Sequence, residues 1–427
     1  MTAGTIVSLA ATVMLITLFL KMPVFISVLA GSFTYFLLHP ELPAQIMAQR
    51  VIAGVESIPL LAIPFFVCSG VIMNYSGVTA RIMRFCEVCM RKVPGGLAQV
   101  NVLLSTLMGG LSGSSLADAA MEAKMLVPAM EKNGFSKEFS SVVTAASAMI
   151  TPLIPPGIAM IIYGSIANVS IGKLFVAGIG PGLLLCITMM LLCGSISLKR
   201  GYSSEMTEDI SFLAALKDAI LPLLLPVVII GGIRLGIFTP TEAGAVAIIY
   251  AVMLSLVFRE FTWGKMWQSM KETVLTTSSI MLIVGAASAF AWVLTRERIP
   301  QTLTELIISN VSNKYVFLLI VNVFLLFVGM FIEGNASMIV LVPLFVPVAR
   351  AYGIDDIQFA MMFIFNMAIG SLSPPMGTLM FVTCGVTKCK IAAFIKEAVP
   401  FYLVLLVCLI LLTFFPFFSL TLVNLIY

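Results

Sequence analysis

The chain is a succession of long apolar runs separated by short polar loops. Crossing a bilayer takes about 20 residues of helix. Runs of that order stand at 4–38 (two, broken at Lys21-Met22-Pro23), 57–74, 171–197, 217–233, 242–258, 273–294 and 398–424. Two further blocks, 94–166 and 313–386, are apolar but repeatedly interrupted by Gly, Ser and Pro. The pattern predicts an all-α polytopic membrane protein whose soluble parts are loops. The longest polar stretch, 199–211 with Glu205, Glu208 and Asp209, falls between the halves and reads as a hinge.

The two interrupted blocks repeat each other. Val127-Pro128, Gly134 and Pro155-Pro156 recur as Val346-Pro347, Gly353 and Pro374-Pro375 at one spacing (346 − 127 = 219). Gly110 and Gly329 keep that spacing, and Val100-Asn101-Val102-Leu103 is echoed slightly out of step by Val321-Asn322-Val323-Phe324. Each block predicts a helix, a small-residue tip, a second helix, a loop and a broken helix. In the first these are 94–109, 110–115, 116–131, 132–137 and 138–166, broken between Thr151 and Gly157. In the second they are 315–330, 331–336, 337–350, 351–356 and 357–386, broken between Gly370 and Gly377. The helices flanking each tip are too short for two full spans, so they read as re-entrant hairpins. Non-helical backbone at membrane depth survives only when buried in protein or lining a polar cavity, because an unsatisfied amide there costs several kcal/mol. Tips and breaks must therefore face each other or a ligand, the arrangement of a secondary transporter. Arg81, Arg84, Arg91 and Lys92 outweigh Glu87 beside the first hairpin, whereas Arg350 faces Asp355 and Asp356 at the base of the second. The positive-inside rule then brings the first hairpin in from the cytoplasm and the second from the opposite face, as an inverted repeat requires.

Composition agrees and narrows the chemistry. Hydrophobic residues are 60% and charged residues 10% of the 427, where a soluble domain carries roughly a quarter charged. The net charge of +4 sits in short loops, and no basic stretch interleaved with aromatics suggests nucleic acid. No Lys or Arg precedes the first apolar run, which is expected to stay in the mature protein. Of eight cysteines, Cys86 and Cys89 have half of a zinc spacing that nothing completes, and the only histidine, His39, precedes Pro40 in a loop, which argues against a His relay or triad. Pro at the breaks lacks an amide donor and frees carbonyls one turn back. Carbonyls and serine hydroxyls form an oxygen-only set suited to a hard cation such as Na⁺. Glu56, Glu122 and Glu242 lie in or beside apolar runs and are functional candidates on that ground, although Glu242 also suits the first turn of a helix. Asp118 and Glu122, four apart, could pair as the acids of an intramembrane enzyme, but no metal cluster, nucleophile-base pair or phosphate motif accompanies them.

Several fragments together resemble the large membrane subunit of tripartite ATP-independent periplasmic (TRAP) transporters. They are the ten residues from Ser57 to Phe66, Pro94-Gly95-Gly96-Leu97-Ala98, the run Gly109 to Ala120, Val143-Thr144-Ala145-Ala146-Ser147, Ile154-Pro155-Pro156, the run Phe238 to Ala243, and Ser373-Pro374-Pro375. The resemblance spans nearly the whole chain. It implies an elevator-type sodium symporter related in architecture to divalent-anion/sodium symporters, taking up a small organic acid. Two partners are implied: a small four-helix membrane subunit, expected on a separate polypeptide, and a periplasmic substrate-binding protein. A stand-alone symporter without a binding protein is the alternative. Scaffold helices would occupy 1–91 and 171–310, the transport domain 92–170 and 311–390, and a C-terminal helix 391–427. Carried over by position, Ser112, Ser114, Thr151, Ile154 and Pro156 form a first sodium site. By the 219-residue offset, Gly334, Gly370, Ser373 and Pro375 form a second. Asp118, Ser115 and Asn335 are the residues expected on the substrate and transport side. Two departures stand out: Thr151 replaces a Gly of the family's Gly-Pro-x-Ile-Pro-Pro run, and Glu333 replaces the more usual Asp. The bacterial inner membrane is the expected location.

Overall fold

The computed structural model describes residues 3–20, 22–39, 41–43, 45–202 and 211–427. Lys21, and Glu205, Glu208 and Asp209 of the expected hinge, lie outside the described residues. Everything regular among the described residues is helical. The first half runs α1 (Ala3–Phe19), α2 (Val24–Leu38), α3 (Gln45–Val55), a 3-10 turn (Ile58–Leu61), α4 (Ala62–Tyr75), α5 (Val78–Met90), α6 (Gly96–Ser112), α7 (Ser115–Lys132), α8 (Lys137–Ser147), α9 (Ile158–Ala167) and α10 (Ile171–Arg200). The second runs α11 (Phe212–Arg234), α12 (Pro240–Val257), α13 (Trp263–Arg296), α14 (Ile299–Asn310), α15 (Lys314–Gly329), α16 (Gly334–Ala351), α17 (Asp356–Leu372), α18 (Thr378–Thr387) and α19 (Ile391–Phe414), followed by α20 (Phe417–Ile426).

The duplication reaches further than the sequence motifs that betray it. Shifted by 219 residues, α1 and α2 fall on α11 and α12, α5 on α14, and α6 to α10 on α15 to α19. The pair α3 and α4 falls on the single long helix α13. Backbone details follow: Gly134 and Gly353 both end a hairpin with positive φ (83° and 68°), and the Pro155-Pro156 and Pro374-Pro375 peptides are both cis. So do buried polar contacts. The Ser147 hydroxyl donates to Asn101 Oδ1 at 3.0 Å, and at the corresponding place Asn366 Nδ2 donates to Asn322 Oδ1 at 2.7 Å. These bonds tie the outer arm of each hairpin to the broken helix beside it.

Three local expectations are sharpened. The first tip is only Gly113 and Ser114, because Gly113 at φ +64° reverses the chain in one residue. The apolar run 398–424 is split into α19 and α20, with Pro416 in the junction. The short helices α3 and α14 did not register as spans, being 11 and 12 residues long.

Each tip is pressed onto a break. A Cβ on Gly109 would sit 2.9 Å from Thr151 Cα, and one on Gly113 would sit 2.8 Å from the Pro156 carbonyl. In the second repeat a Cβ on Gly370 would sit 2.5 Å from Gly329 Cα. Around this centre α10 and α19 pack against the broken helices, while α4, α5, α13 and α14 approach from outside. The outside packing is unequal. The helices α4 and α5 lie against the outer arm α6, and α4 with its 3-10 turn also lies against α9; their repeat mates α13 and α14 lie instead against the inner arm α16.

Gly370→Ala should therefore lower the stability of the detergent-purified protein by about 1 to 3 kcal/mol, because backbone meets backbone and neither yields. Gly385→Ala, where a Cβ meets nothing within 4 Å, should leave it equal or gain about 0.5 to 1 kcal/mol of helix stability. Thermal unfolding of the two variants side by side checks the contact.

Candidate functional site

Between the two hairpin tips lies a cavity of about 310 Å³. Gly113, Ser114, Ser115 and Leu116 of the first tip and Glu333, Gly334 and Asn335 of the second line it, together with Ile158 and Ala159, Ser371 and Thr378. These residues mark the beginnings of four helices: α7 at Ser115, α9 at Ile158, α16 at Gly334 and α18 at Thr378. Each start exposes amides with no partner inside the helix and the positive end of its dipole. Among the described residues no Lys, Arg or His lines the cavity, and Glu333 is its one acidic side chain. One such end contributes about 0.3 to 2 kcal/mol to a nearby anion. The α16 end already holds the Glu333 carboxylate, so the α7, α9 and α18 ends are the ones left to a bound anion. The remaining wall is the middle of α13, through Thr276, Ser279, Ile280 and Ile283.

The tips are capped alike. Ser114 accepts from the Ala117 amide at 3.5 Å, and its counterpart Glu333 accepts from the Ala336 amide at 3.0 Å and from Asn335 Nδ2 at 2.9 Å. Behind the first tip stands Asp118, fully buried. Its Oδ2 accepts from the Ser112 hydroxyl at 2.6 Å and from the Thr151 hydroxyl at 2.7 Å. Both hydroxyls thus spend their proton on Asp118 and can accept with their lone pairs, as Ser112 does from the Ser114 amide at 3.4 Å. The hydroxyl of Thr151, absent from the Gly of the family's run, joins the break to the hairpin; its mate Gly370 instead packs backbone on backbone against Gly329. Asp118 Oδ1 has no partner and, among the described residues, no ion pair reaches it.

The predicted residues separate as follows. Ser112, Thr151, Ile154 and Pro156 are brought together where α6 meets the first break: Gly109 and Gly110 touch Thr151 and Ile154, and Gly113 touches the Pro156 carbonyl. Ser114 lies beside them but also faces the cavity. In the second repeat Gly334 lies over Met367, one turn before Gly370, and it lines the cavity. The Ser373 hydroxyl donates back to the Ile369 carbonyl at 2.8 Å. Ser115 and Asn335 line the cavity; Asp118 does not. Of the other acids, Glu242 closes a capping box with Thr239 at the start of α12, Glu56 is exposed, and Glu122 is fully buried with Oε2 accepting from Ser105 at 2.6 Å. The α13 wall was missed, although four successive hydroxyl residues, 276–279, interrupt its apolar run.

Comparison with known proteins decides what this geometry belongs to. Residues 11–418 match the family model described as the tripartite ATP-independent periplasmic transporter, DctM component. The chain belongs to the TRAP transporter large permease family. It is 40% identical over 411 residues, 96% of each chain, to the sialic acid TRAP transporter large permease protein SiaM of Vibrio cholerae. It is 38% identical to the 2,3-diketo-L-gulonate TRAP transporter large permease protein YiaN of Escherichia coli, covering 87% of this chain and 88% of that one. Among solved structures it shares its fold with the YdaH transporter of Alcanivorax borkumensis, with a TM-score of 0.65 over 86% of each chain at 15% identity. This TRAP permease is accordingly a multi-pass inner-membrane protein, all-α with inverted repeats of elevator type, and a secondary transporter subunit rather than an enzyme.

Because Ser112 and Thr151 donate to the same Asp118 oxygen in the permease, their losses should not add. Ser112→Ala and Thr151→Val should each cost about 1 to 3 kcal/mol, with a coupling of about 0.5 to 3 kcal/mol in the double variant. Denaturation midpoints of the four proteins in the cycle check this; strict additivity would separate the two hydroxyls.

Proposed function

We propose that this permease carries out sodium-coupled uptake of a small organic acid, handed to it by a periplasmic binding protein and translocated together with a separate small four-helix membrane subunit. The convergence of the α7, α9 and α18 N-termini on one cavity that, among the described residues, no cationic side chain lines is the observation that carries the reading. Such a cavity takes a carboxylate through backbone amides, with Ser115 and Asn335 to orient the rest of the molecule. Relatives named for sialic acid and for 2,3-diketo-L-gulonate support an organic acid as cargo.

Sodium would sit just behind the substrate. Ser112 and Thr151 hydroxyls, with carbonyls freed by Pro155 and Pro156, supply hard oxygen ligands, and Asp118 both aims the hydroxyls and balances the cation's charge. A second sodium site in the other repeat would use Gly334, Gly370, Ser373 and Pro375. Substrate and ion would then share the first tip: its Ser114 faces both. The mobile body would be the two hairpins and broken helices, 92–170 and 311–390, against which α10 of the scaffold and the C-terminal α19 pack, and the first hairpin would open to the cytoplasm.

Uptake into proteoliposomes holding both membrane subunits, with binding protein outside, tests the proposal. An inward sodium gradient should drive accumulation, and replacing sodium by choline should abolish it, as should omitting the binding protein. Changing Pro155 and Pro156 together to Ala should return their freed carbonyls to helical hydrogen bonds. Sodium-driven uptake should fall at least tenfold while the protein still inserts and purifies. Uptake indifferent to sodium, or surviving the double substitution, would place the ion elsewhere.

A further inference from the structure

Glu122 takes no part in the cavity or in the cluster around Asp118. It stands on α7 one turn beyond Asp118, fully buried, and its Oε1 has no partner. From Oε2 a chain of short contacts crosses both arms of the first hairpin and enters the broken helix. Oε2 lies 2.6 Å from the Ser105 hydroxyl of α6, and Ser105 lies 2.9 Å from the Ser147 hydroxyl at the end of α8. Ser147 lies 3.0 Å from Asn101 Oδ1, Asn101 Nδ2 lies 2.6 Å from the Thr144 hydroxyl, and that hydroxyl lies 2.9 Å from the Ser140 carbonyl.

Five contacts need five hydrogens. Ser105, Ser147 and Thr144 bring one each, and the Asn101 amide, whose nitrogen faces only one of its two neighbours in the chain, brings one more. An ionised Glu122 brings none, so one contact would close oxygen on oxygen with nothing between. The Thr144 carbonyl, 3.1 Å from Ser147, competes for the Ser147 hydrogen and deepens the shortage. A neutral Glu122 supplies the missing hydrogen, and the bond at 2.6 Å then runs from the acid to Ser105, since the direction of such a bond follows from the network around it. Ser105 donates onward to Ser147, Ser147 to Asn101, Asn101 to Thr144 and Thr144 to the Ser140 carbonyl. The bare Oε1 agrees: a buried carbonyl oxygen without a donor costs far less than a buried charge without one.

The surroundings offer Glu122 no counter-charge. α7 packs against α6, α8, residues 148–150 and α18. Of these α6 and residues 148–150 carry no ionisable side chain, α8 has Lys137 and Glu138 only at its far end, and α18 has only Cys384. The ionisable groups that face Glu122 are Asp118 on its own helix and the Cys86 thiol of α5, while Lys124 of α7 is exposed. Two carboxylates one turn apart on a helix repel. Nor does the hairpin fold require an acid here: 219 positions on, Glu122 and Ser105 are matched by Leu341 and Phe324.

We propose that Glu122 is a proton-binding site: the first hairpin carries one bound proton as a neutral acid, which fastens both arms to the broken helix and leaves Asp118 as the only negative charge behind the tip. The bound proton is independent of the ion and cargo proposed above, because the chain shares no contact with Ser112, Thr151 or Asp118.

Infrared spectra of the purified permease test this. A neutral carboxyl absorbs above the main amide band and moves down in heavy water, whereas a carboxylate does not absorb there. At neutral pH the protein should show this band, and Glu122→Gln should lose the intensity of one acid from it. Glu122→Leu, the residue of the second repeat, should lose the same intensity, which keeps the test open if one variant fails to fold. Asp118→Asn should leave the intensity unchanged, and spectra in sodium chloride and in choline chloride should agree. Spectra of the original protein and the Glu122 variants that coincide in this region would overturn the proposal. So would a band that sodium removes, or one lost in Asp118→Asn.

Discussion

Everything in this molecule depends on one constraint: backbone that leaves the helix in the middle of a membrane must find its hydrogen-bond partners inside the protein. Two hairpin tips and two helix breaks bring such backbone to the centre, and they are made tolerable by being pressed against one another. Gly109, Gly110 and Gly113 exist where they do because tip and break approach until only a hydrogen can separate them. The same crowding gathers carbonyls, hydroxyls and helix starts into a small volume. The site is thus a by-product of satisfying the chain.

Division of labour follows from divergence between the repeats. In the first, Asp118, Ser112 and Thr151 lock hairpin to break through one carboxylate oxygen. At the matching positions of the second stand Ser337, Phe331 and Gly370, and the lock is replaced by bare packing of Gly370 on Gly329. The first junction is held at its tip by directional hydrogen bonds; the second is held there by close backbone packing.

Much of this was legible beforehand, for a physical reason. Pro-Pro and Gly at fixed spacing are read directly as helix breaks, and they fall where the function is. The rest of the duplication was hidden because ordinary spans have interchangeable apolar residues, and because one α13 stands where α3, a Pro59-containing turn and α4 stand in the other half. The helices α3 and α14, of 11 and 12 residues, are too short to leave an apolar run of span length in the sequence. Asp118 was suspected of meeting substrate and turned out to face away from the cavity, since sequence spacing fixes a side chain's helix face but not which neighbour fills it. The hydroxyl run at 276–279 was visible, yet only the fold says that it looks into a cavity.

A binding site made of helix beginnings also has an evolutionary consequence. In the proposed binding mode the groups that meet the anion are main-chain amides, which only a change to proline deletes, so the capacity to hold a carboxylate would be better protected against mutation than one that rests on an arginine. The side chains around them are then free to vary. A family built on such a cavity can change its cargo by altering a serine, an asparagine or a wall residue without ever losing its grip on the acid group.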